Sequence, residues 1–135
     1  MEPEAIVYNG IKYALVIRSG VNVNKTTFFS PPDSSFQFGL LARPAGFQEE
    51  PHTHKSISRT IHDLQQMFVV QRGVVAVDLF SYEGTKIREI LLYAGDAIVL
   101  IEGPHAIHVV EDMQCISVKQ GPFMGDEADK LVIKE

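Results

Sequence analysis

Several features that define other protein classes are scarce or missing in this 135-residue chain. It has one cysteine, Cys115, which excludes an internal disulfide and fits a reducing, cytoplasmic environment. The start, MEPEAIVYNG, has no apolar signal-peptide core, and no apolar run approaches the roughly 18 residues that cross a membrane. The net charge is −5 and no block of lysine and arginine occurs, which argues against a nucleic-acid partner.

A long helical period is also missing, and the chain instead contains short apolar runs rich in Val, Ile, Phe and Tyr. The predicted strands are Ile11–Ile17, Thr26–Ser30, Phe36–Ala42, Met67–Gln71, Val74–Phe80, Ile87–Tyr93, Ala97–Ile101 and Met113–Lys119. A hairpin turn is expected at Ser81–Thr85. Many short, evenly spaced strands predict an all-β sandwich or barrel, and the length suits a single domain over residues 1–135.

All five histidines fall into two clusters, His52, His54 and His62 in the first and His105 and His108 in the second. His52 and His54 are two positions apart, so on a β-strand their side chains point to the same face. Two neighbouring imidazoles suit a divalent metal. His105 and His108 are three positions apart and face opposite sides of a regular strand, so only one of them can join such a site.

The spacing of glycines around the histidines resembles the two sequence motifs of the cupin family. Gly46-x5-His52-x-His54, followed by Gln66-x6-Gly73, resembles the first motif. Gly95-x5-Ile101-x-Gly103, followed by His105, resembles the second motif, with isoleucine where proline is usual. The resemblance covers about Gly39 to Pro122. It implies an all-β, single-domain cupin jelly-roll (double-stranded β-helix) barrel with a core of about 36–122 and a site inside one mouth.

The resemblance also implies a set of metal ligands. These are His52, His54, Gln66 and His105, around a divalent transition metal such as Zn, Fe, Ni or Mn. Cupins usually have glutamate where this chain has Gln66, so the ligand set is neutral. The full charge of the metal would then be available to attract an anionic or chelating ligand.

Other candidate site residues lie around this frame. The gap between His54 and Gln66 is longer than in most cupins, and it predicts a loop at the barrel mouth. His62 in that loop is a candidate general base, and His54 is a second candidate for proton transfer. Three cationic residues are candidate contacts for an anionic substrate. They are Arg43, Arg59 and Lys119.

Three functions are compatible with these residues. Segments such as Phe36–Gly46 and Val118–Pro122 resemble small bacterial cupins linked to sugar or capsule-polysaccharide pathways, which implies a metal-dependent enzyme acting on a sugar or sugar nucleotide. The alternative is a metal-independent sugar-nucleotide ketoisomerase or epimerase, with His52 and His54 as acid and base. The third is a non-catalytic carbohydrate-binding or sensing module, so enzymatic activity is left open. The resemblance to small cupins, which pair through sheet faces or N-terminal strands, implies a homodimer, and the apolar strand Ile11–Ile17 needs cover.

Overall fold

The computed structural model describes residues 1–132, and this range is nearly all β, with 43% strand and 3% helix. The main sheet forms a strongly curled half-barrel, which confirms the predicted all-β, barrel-like class. The elements are β1 (Glu4–Tyr8), β2 (Ile11–Ile17), β3 (Thr27–Phe28), β4 (Gly39–Leu40), β5 (Gln66–Phe80), β6 (Lys86–Leu92), β7 (Ala97–Leu100), β8 (His105–Lys119) and α1 (Asp126–Asp129). No helix in the described range is long and apolar enough to cross a membrane.

The chain divides into two compact units. The first consists of Met1–Val21 together with the chain from Leu64 onward, and it contains a six-stranded sheet. The second is Asn22–Asp63, which contains the two-stranded β3–β4 sheet. The expected single domain over residues 1–135 stays a prediction, and residues 133–135 lie outside the described range.

Strand β5 organises the six-stranded sheet, because it has different neighbours along its two edges. One edge pairs with β8 from Gln66 to Leu79. The other edge pairs first with β7, at Gln66–Val69, and then with β6, at Val75–Phe80. All these pairings are antiparallel. A strand that changes neighbours half-way can curl a sheet, and register shifts at its centre add local bending.

The centre of β5 explains why two predicted strands are one. Met67–Gln71 and Val74–Phe80 were expected as separate strands, and this prediction is wrong because both lie within β5, with Gly73 between them. Gly73 has a φ of 87°, and a Cβ built there would lie 2.1 Å from the carbonyl oxygen of Asp112. Glycine therefore permits close approach of the β8 backbone at an irregular point of the ladder, and the strand continues through it.

Strand β2 lies inside the sheet rather than at a surface that needs a partner. Its residues Tyr13–Ile17 are buried. One edge pairs with β1, which the strand pattern did not predict, and the other pairs with β7. One reason given for a homodimer, an uncovered Ile11–Ile17 strand, therefore does not hold, and the homodimer stays a prediction. Exposed apolar side chains lie instead on β8, for example Val110 and Ile116.

A buried carboxylate fastens the end of β2 to the turn between β6 and β7. Asp96 accepts hydrogen bonds from the amides of Ser19 and Tyr93, both at 2.9 Å, and from Arg18 Nη1 at 3.0 Å. Desolvation by burial alone would raise the pKa of Asp96. The two amide hydrogen bonds and the guanidinium outweigh this effect, so the net pKa lies below the ordinary aspartate value.

The predicted hairpin turn at Ser81–Thr85 joins β5 to β6. The amide of Ser81 donates to the carbonyl of Thr85 at 2.8 Å, and the amide of Gly84 donates to the carbonyl of Ser81 at 2.9 Å. Tyr82 in this turn donates its hydroxyl to the Glu102 carboxylate and accepts a hydrogen bond from the Gly103 amide at 3.2 Å. The hairpin is therefore linked to the loop that precedes β8.

The second unit is built mainly by turns and side-chain hydrogen bonds. Strands β3 and β4 pair over only two residues each, so the predicted strands Thr26–Ser30 and Phe36–Ala42 were too long. Between them, Gln37 Nε2 donates to the carbonyls of Pro31 and Ser34, both at 2.9 Å. Proline and local side-chain bonds compete with a ladder here, which accounts for the short strands.

Candidate functional site

Strands β5 and β8 place matching apolar side chains on the inner face of the curled sheet. Their register pairs Val70 with Cys115 and Val77 with Ile107. Residues directly opposite each other in a ladder share a face. Val70 and Val77 are seven positions apart, so strict alternation would put them on opposite faces. The register shifts between Val70 and Val75 bring both side chains to the same side of the sheet.

These side chains surround a cavity of about 200 Å³ in the first unit. Its lining residues come from β5, β6 and β8 and are mostly apolar. They are Phe68, Val70, Val75, Val77, Leu92, Ile107, Met113, Gln114, Cys115 and Ser117. Val77 and Leu92 are buried, whereas Ile107 and Met113 are 39% and 37% exposed. The cavity therefore has a closed apolar floor and a wall on β8 that reaches solvent.

Two sulfur atoms form part of that wall. The Cys115 thiol lies 3.4 Å from the Met113 thioether sulfur. Burial raises the pKa of Cys115, so the neutral thiol is favoured at neutral pH. A neutral thiol is a weak nucleophile, and here Cys115 contributes polarizable apolar surface to the cavity.

Polar side chains lie at the end of the β5–β8 ladder beside the cavity, although of these only Ser117 lines it. Gln66 pairs with Lys119, and Phe68 with the cavity residue Ser117. Gln66 Nε2 donates to Ser117 Oγ at 3.1 Å. The Lys119 ammonium lies 5.3 Å from the centre of the Phe123 ring. Two residues singled out from the sequence, Gln66 and Lys119, therefore lie beside this cavity on the same ladder.

The first histidine pair lies in the second unit, and the structure has no strand across it. The assumption that a strand would align His52 and His54 is therefore wrong. Both are exposed, and their ring centres are nevertheless 5.6 Å apart in an edge-to-face arrangement. His52 Nδ1 lies 2.9 Å from the Glu50 carbonyl, and its Nε2 lies 3.3 Å from the Glu49 carboxylate.

His105 lies at the beginning of β8, opposite Leu79. Burial by surrounding protein lowers its pKa, and the charge of Lys130 lowers it further, although part of the side chain reaches solvent. The imidazole is therefore neutral at neutral pH. His108 pairs with Ala76, so the two β8 histidines face opposite sides, as alternation predicts.

Gln66 and His105 occupy opposite ends of the β5–β8 ladder. Thirteen positions of β5 separate Gln66 from Leu79, the partner of His105, which is roughly 40 Å of extended strand. Ligands of one ion lie about 2–2.3 Å from it, so this separation along the ladder argues against a shared ion, and the metal-ligand roles of Gln66 and His105 stay predictions. In residues 1–132, no group of three or more His, Cys, Asp or Glu side chains has an arrangement that could hold a metal.

The remaining predicted residues lie in the second unit. Arg43 donates to the Thr26 hydroxyl and to the Ala42 carbonyl, and its guanidinium lies 4.9 Å from the Phe47 ring centre. Arg43 therefore makes contacts within the second unit, and its role in binding a substrate stays a prediction. Arg59 and His62 are exposed in a stretch without strands, and their substrate and catalytic roles stay predictions.

The cavity itself was not predicted from the sequence. The signal that was available is the pair of apolar runs Val74–Phe80 and Met113–Lys119, which predicts two strands but not that they are neighbours. Only the pairing of β5 with β8 brings their inner faces together. No family model, curated protein or solved structure matches this chain. The likeness to cupins therefore depends on the spacing of glycine, histidine and glutamine alone.

Proposed function

We propose that this protein binds a small, mainly apolar ligand in the cavity between β5 and β8. The observation that carries the proposal is the lining, in which the polar side chains are limited to Gln114 and Ser117 alongside the Cys115 thiol. Ligand sites in proteins are typically concave and apolar, with a few polar groups that fix orientation. Such a lining is poorly suited to a sugar, whose hydroxyls would lose their hydrogen bonds to water.

The volume limits the size of the ligand. An engineered cavity of roughly 150 Å³, lined by similar side chains, holds benzene. A cavity of about 200 Å³ therefore accommodates one aromatic ring with a short substituent, or a short acyl chain. With about ten non-hydrogen atoms at roughly 0.5 kcal/mol each, the dissociation constant is on the order of 0.1 mM.

Isothermal titration of the whole protein with phenylacetate, phenylethanol, hexanoate and hexanol tests the proposal. Ile107→Trp adds a large ring to the partly exposed wall of the cavity. Val110→Trp is the matched control, because Val110 lies on the same strand but does not line the cavity. We expect Ile107→Trp to abolish binding and Val110→Trp to retain it, with circular dichroism confirming that both variants fold. Equal binding by all three proteins would place the ligand elsewhere and refute the proposal.

A second candidate is the cupin-type function, with a jelly-roll barrel and a metal-dependent or acid/base enzyme acting on a small polar metabolite. The observation that favours it is the His52–His54 pair, whose ring centres are 5.6 Å apart. Two imidazoles at this separation are compatible with one divalent ion after small rotations of the rings. Gln66 and His105 lie at opposite ends of the β5–β8 ladder, and their roles as further ligands stay predictions.

Metal content distinguishes the versions of this second candidate. The metal-dependent version predicts about one transition metal per purified chain, and loss of that metal in the His52→Ala, His54→Ala double variant. Stoichiometric metal that survives the double substitution would exclude these histidines as ligands. A purified chain without metal but with histidine-dependent turnover of a sugar nucleotide would support the acid/base version.

A further inference from the structure

We propose that the cavity ligand is a carboxylic acid whose carboxylate binds at the polar end of the β5–β8 ladder, between Lys119, Gln66 and Ser117. This inference depends on the proposed ligand-binding function and specifies the chemical class of the ligand. The apolar body occupies the cavity, and the charged group reaches its polar end.

The register of the ladder brings the three side chains together. Ser117 lines the cavity and pairs with Phe68, and Lys119 pairs with Gln66 two positions farther along. No register shift separates these two pairs, so all four residues share one face. Ser117 and Lys119 are therefore about 7 Å apart along the strand, within reach of a lysine side chain.

Several hydrogen-bond donors remain available at this end, beside the acceptor oxygen of the Gln66 amide. Gln66 Nε2 donates to Ser117 Oγ at 3.1 Å, so the Ser117 hydroxyl keeps its own proton for another acceptor. The Gln66 amide has a second N–H, and the Lys119 ammonium has three. A carboxylate accepts hydrogen bonds only, and hydrogen bonds that involve an ionised group are the stronger ones. An acceptor-only anion therefore matches this end of the cavity.

The charges nearby favour the same ligand. The Lys119 ammonium lies over the Phe123 ring, which is 66% exposed. A cation over an aromatic face keeps its charge for a further partner. The lining residues include no carboxylate, and the acidic residues of β8, Glu111 and Asp112, are at least five positions before Ser117. An incoming carboxylate thus meets a positive charge at the end where its hydrogen-bond donors lie.

Matched pairs of acid and alcohol test the inference, because the members of each pair share their apolar body. The probes are phenylacetate with phenylethanol and hexanoate with hexanol, titrated calorimetrically into the whole protein. We expect each acid to bind about fivefold more tightly than its alcohol, the usual size of a partly exposed charge interaction. About 0.5 M NaCl should remove most of this preference and leave binding of the alcohols unchanged.

Three substitutions assign the preference to named groups. Lys119→Gln should make acid and alcohol bind equally, whereas Lys119→Arg keeps the charge and should keep the preference. Gln66→Glu puts a negative charge beside Ser117 and should weaken binding of the acid more than tenfold, with little effect on the alcohol. Lys12→Gln on β2 is the control, because it makes the same change of net charge and Lys12 does not line the cavity.

The outcomes separate this inference from the function on which it depends. If acid and alcohol bind equally to the unmodified protein, or if Lys119→Gln leaves the preference intact, the carboxylate inference is overturned and the apolar binding function stands. If neither probe of either pair binds to the folded protein, the binding function itself fails. Both are supported if the acids bind more tightly to the unmodified protein, Lys119→Gln removes the difference, and Gln66→Glu reverses it. Lys119→Arg and Lys12→Gln should leave the difference intact.

Discussion

Removing the charge of Asp96 should destabilise the six-stranded sheet, because this buried carboxylate holds the end of β2 to the β6–β7 turn. In Asp96→Asn, one oxygen can keep the Ser19 amide at 2.9 Å. The new NH₂ group would face the Tyr93 amide and the Arg18 guanidinium, which are both donors. Hydrogen bonds to charged groups contribute roughly 1.5–3 kcal/mol each, but Arg18 is 29% exposed and its share is at most about 1 kcal/mol. The expected loss is therefore about 2–4 kcal/mol.

Urea unfolding at neutral pH measures this loss, with Arg18→Gln as a milder comparison expected to lose about 1 kcal/mol. Because the folded pKa of Asp96 is lowered, its contribution is fully present above the unfolded pKa and is lost as pH falls through the folded pKa. The difference between the original protein and Asp96→Asn should thus be constant from about pH 5 upward and shrink below about pH 4. A difference under about 0.5 kcal/mol at neutral pH, or one that persists unchanged in acid, would refute this reasoning.

Three further predictions follow from single positions. Gly73→Ala should lower the free energy of unfolding by more than about 3 kcal/mol, because the new Cβ would meet the backbone of β8. Gly84→Ala is the control, since Gly84 has a similar φ of 89° but lies in open space, and it should cost about 1 kcal/mol. Equal losses for the two variants in urea unfolding would contradict this prediction. Tyr82→Phe should cost about 1 kcal/mol by the same assay through loss of the bond to Glu102, and an unchanged midpoint would show that the link is dispensable. Alkylation of Cys115 with iodoacetamide at about pH 8 should be slower in the folded protein than in urea, because burial raises the thiol pKa; equal rates would contradict this.

The short apolar runs and the turn residues between them were sufficient to predict the class of fold and most of its strands. The predicted Ile11–Ile17 agrees with β2, and Ile87–Tyr93 and Ala97–Ile101 are within one residue of β6 and β7. The errors have local physical causes. Two predicted strands are one because Gly73, between them, lies inside a ladder where two backbones come close. Strand β1 (EAIVY) is short and begins with a charged residue, so its sequence has only a weak strand pattern. Its pairing with β2 was therefore not predicted.

The candidate site depends on long-range pairing, which local patterns do not contain. The sequence indicated Gln66 and Lys119 as functional candidates, but for different reasons and for different sites. The register of β5 with β8 places them opposite each other beside Ser117. The same register separates Gln66 from His105, which motif spacing had grouped together. A slip of that ladder by a few residues would move Lys119 away from Gln66, and no property of either strand alone fixes the register.

Methyl-labelled NMR of the protein during titration with phenylacetate tests the central claim, that the β5–β8 cavity binds a small apolar ligand, most directly. The account predicts saturable shifts of the methyl signals of Val77, Ile107 and Met113, which line the cavity, with a single dissociation constant. The methyl signals of Val16, buried in the core but outside the lining, should stay in place. Shifts that avoid the lining residues, or unchanged spectra at ligand concentrations well above about 1 mM, would contradict the claim.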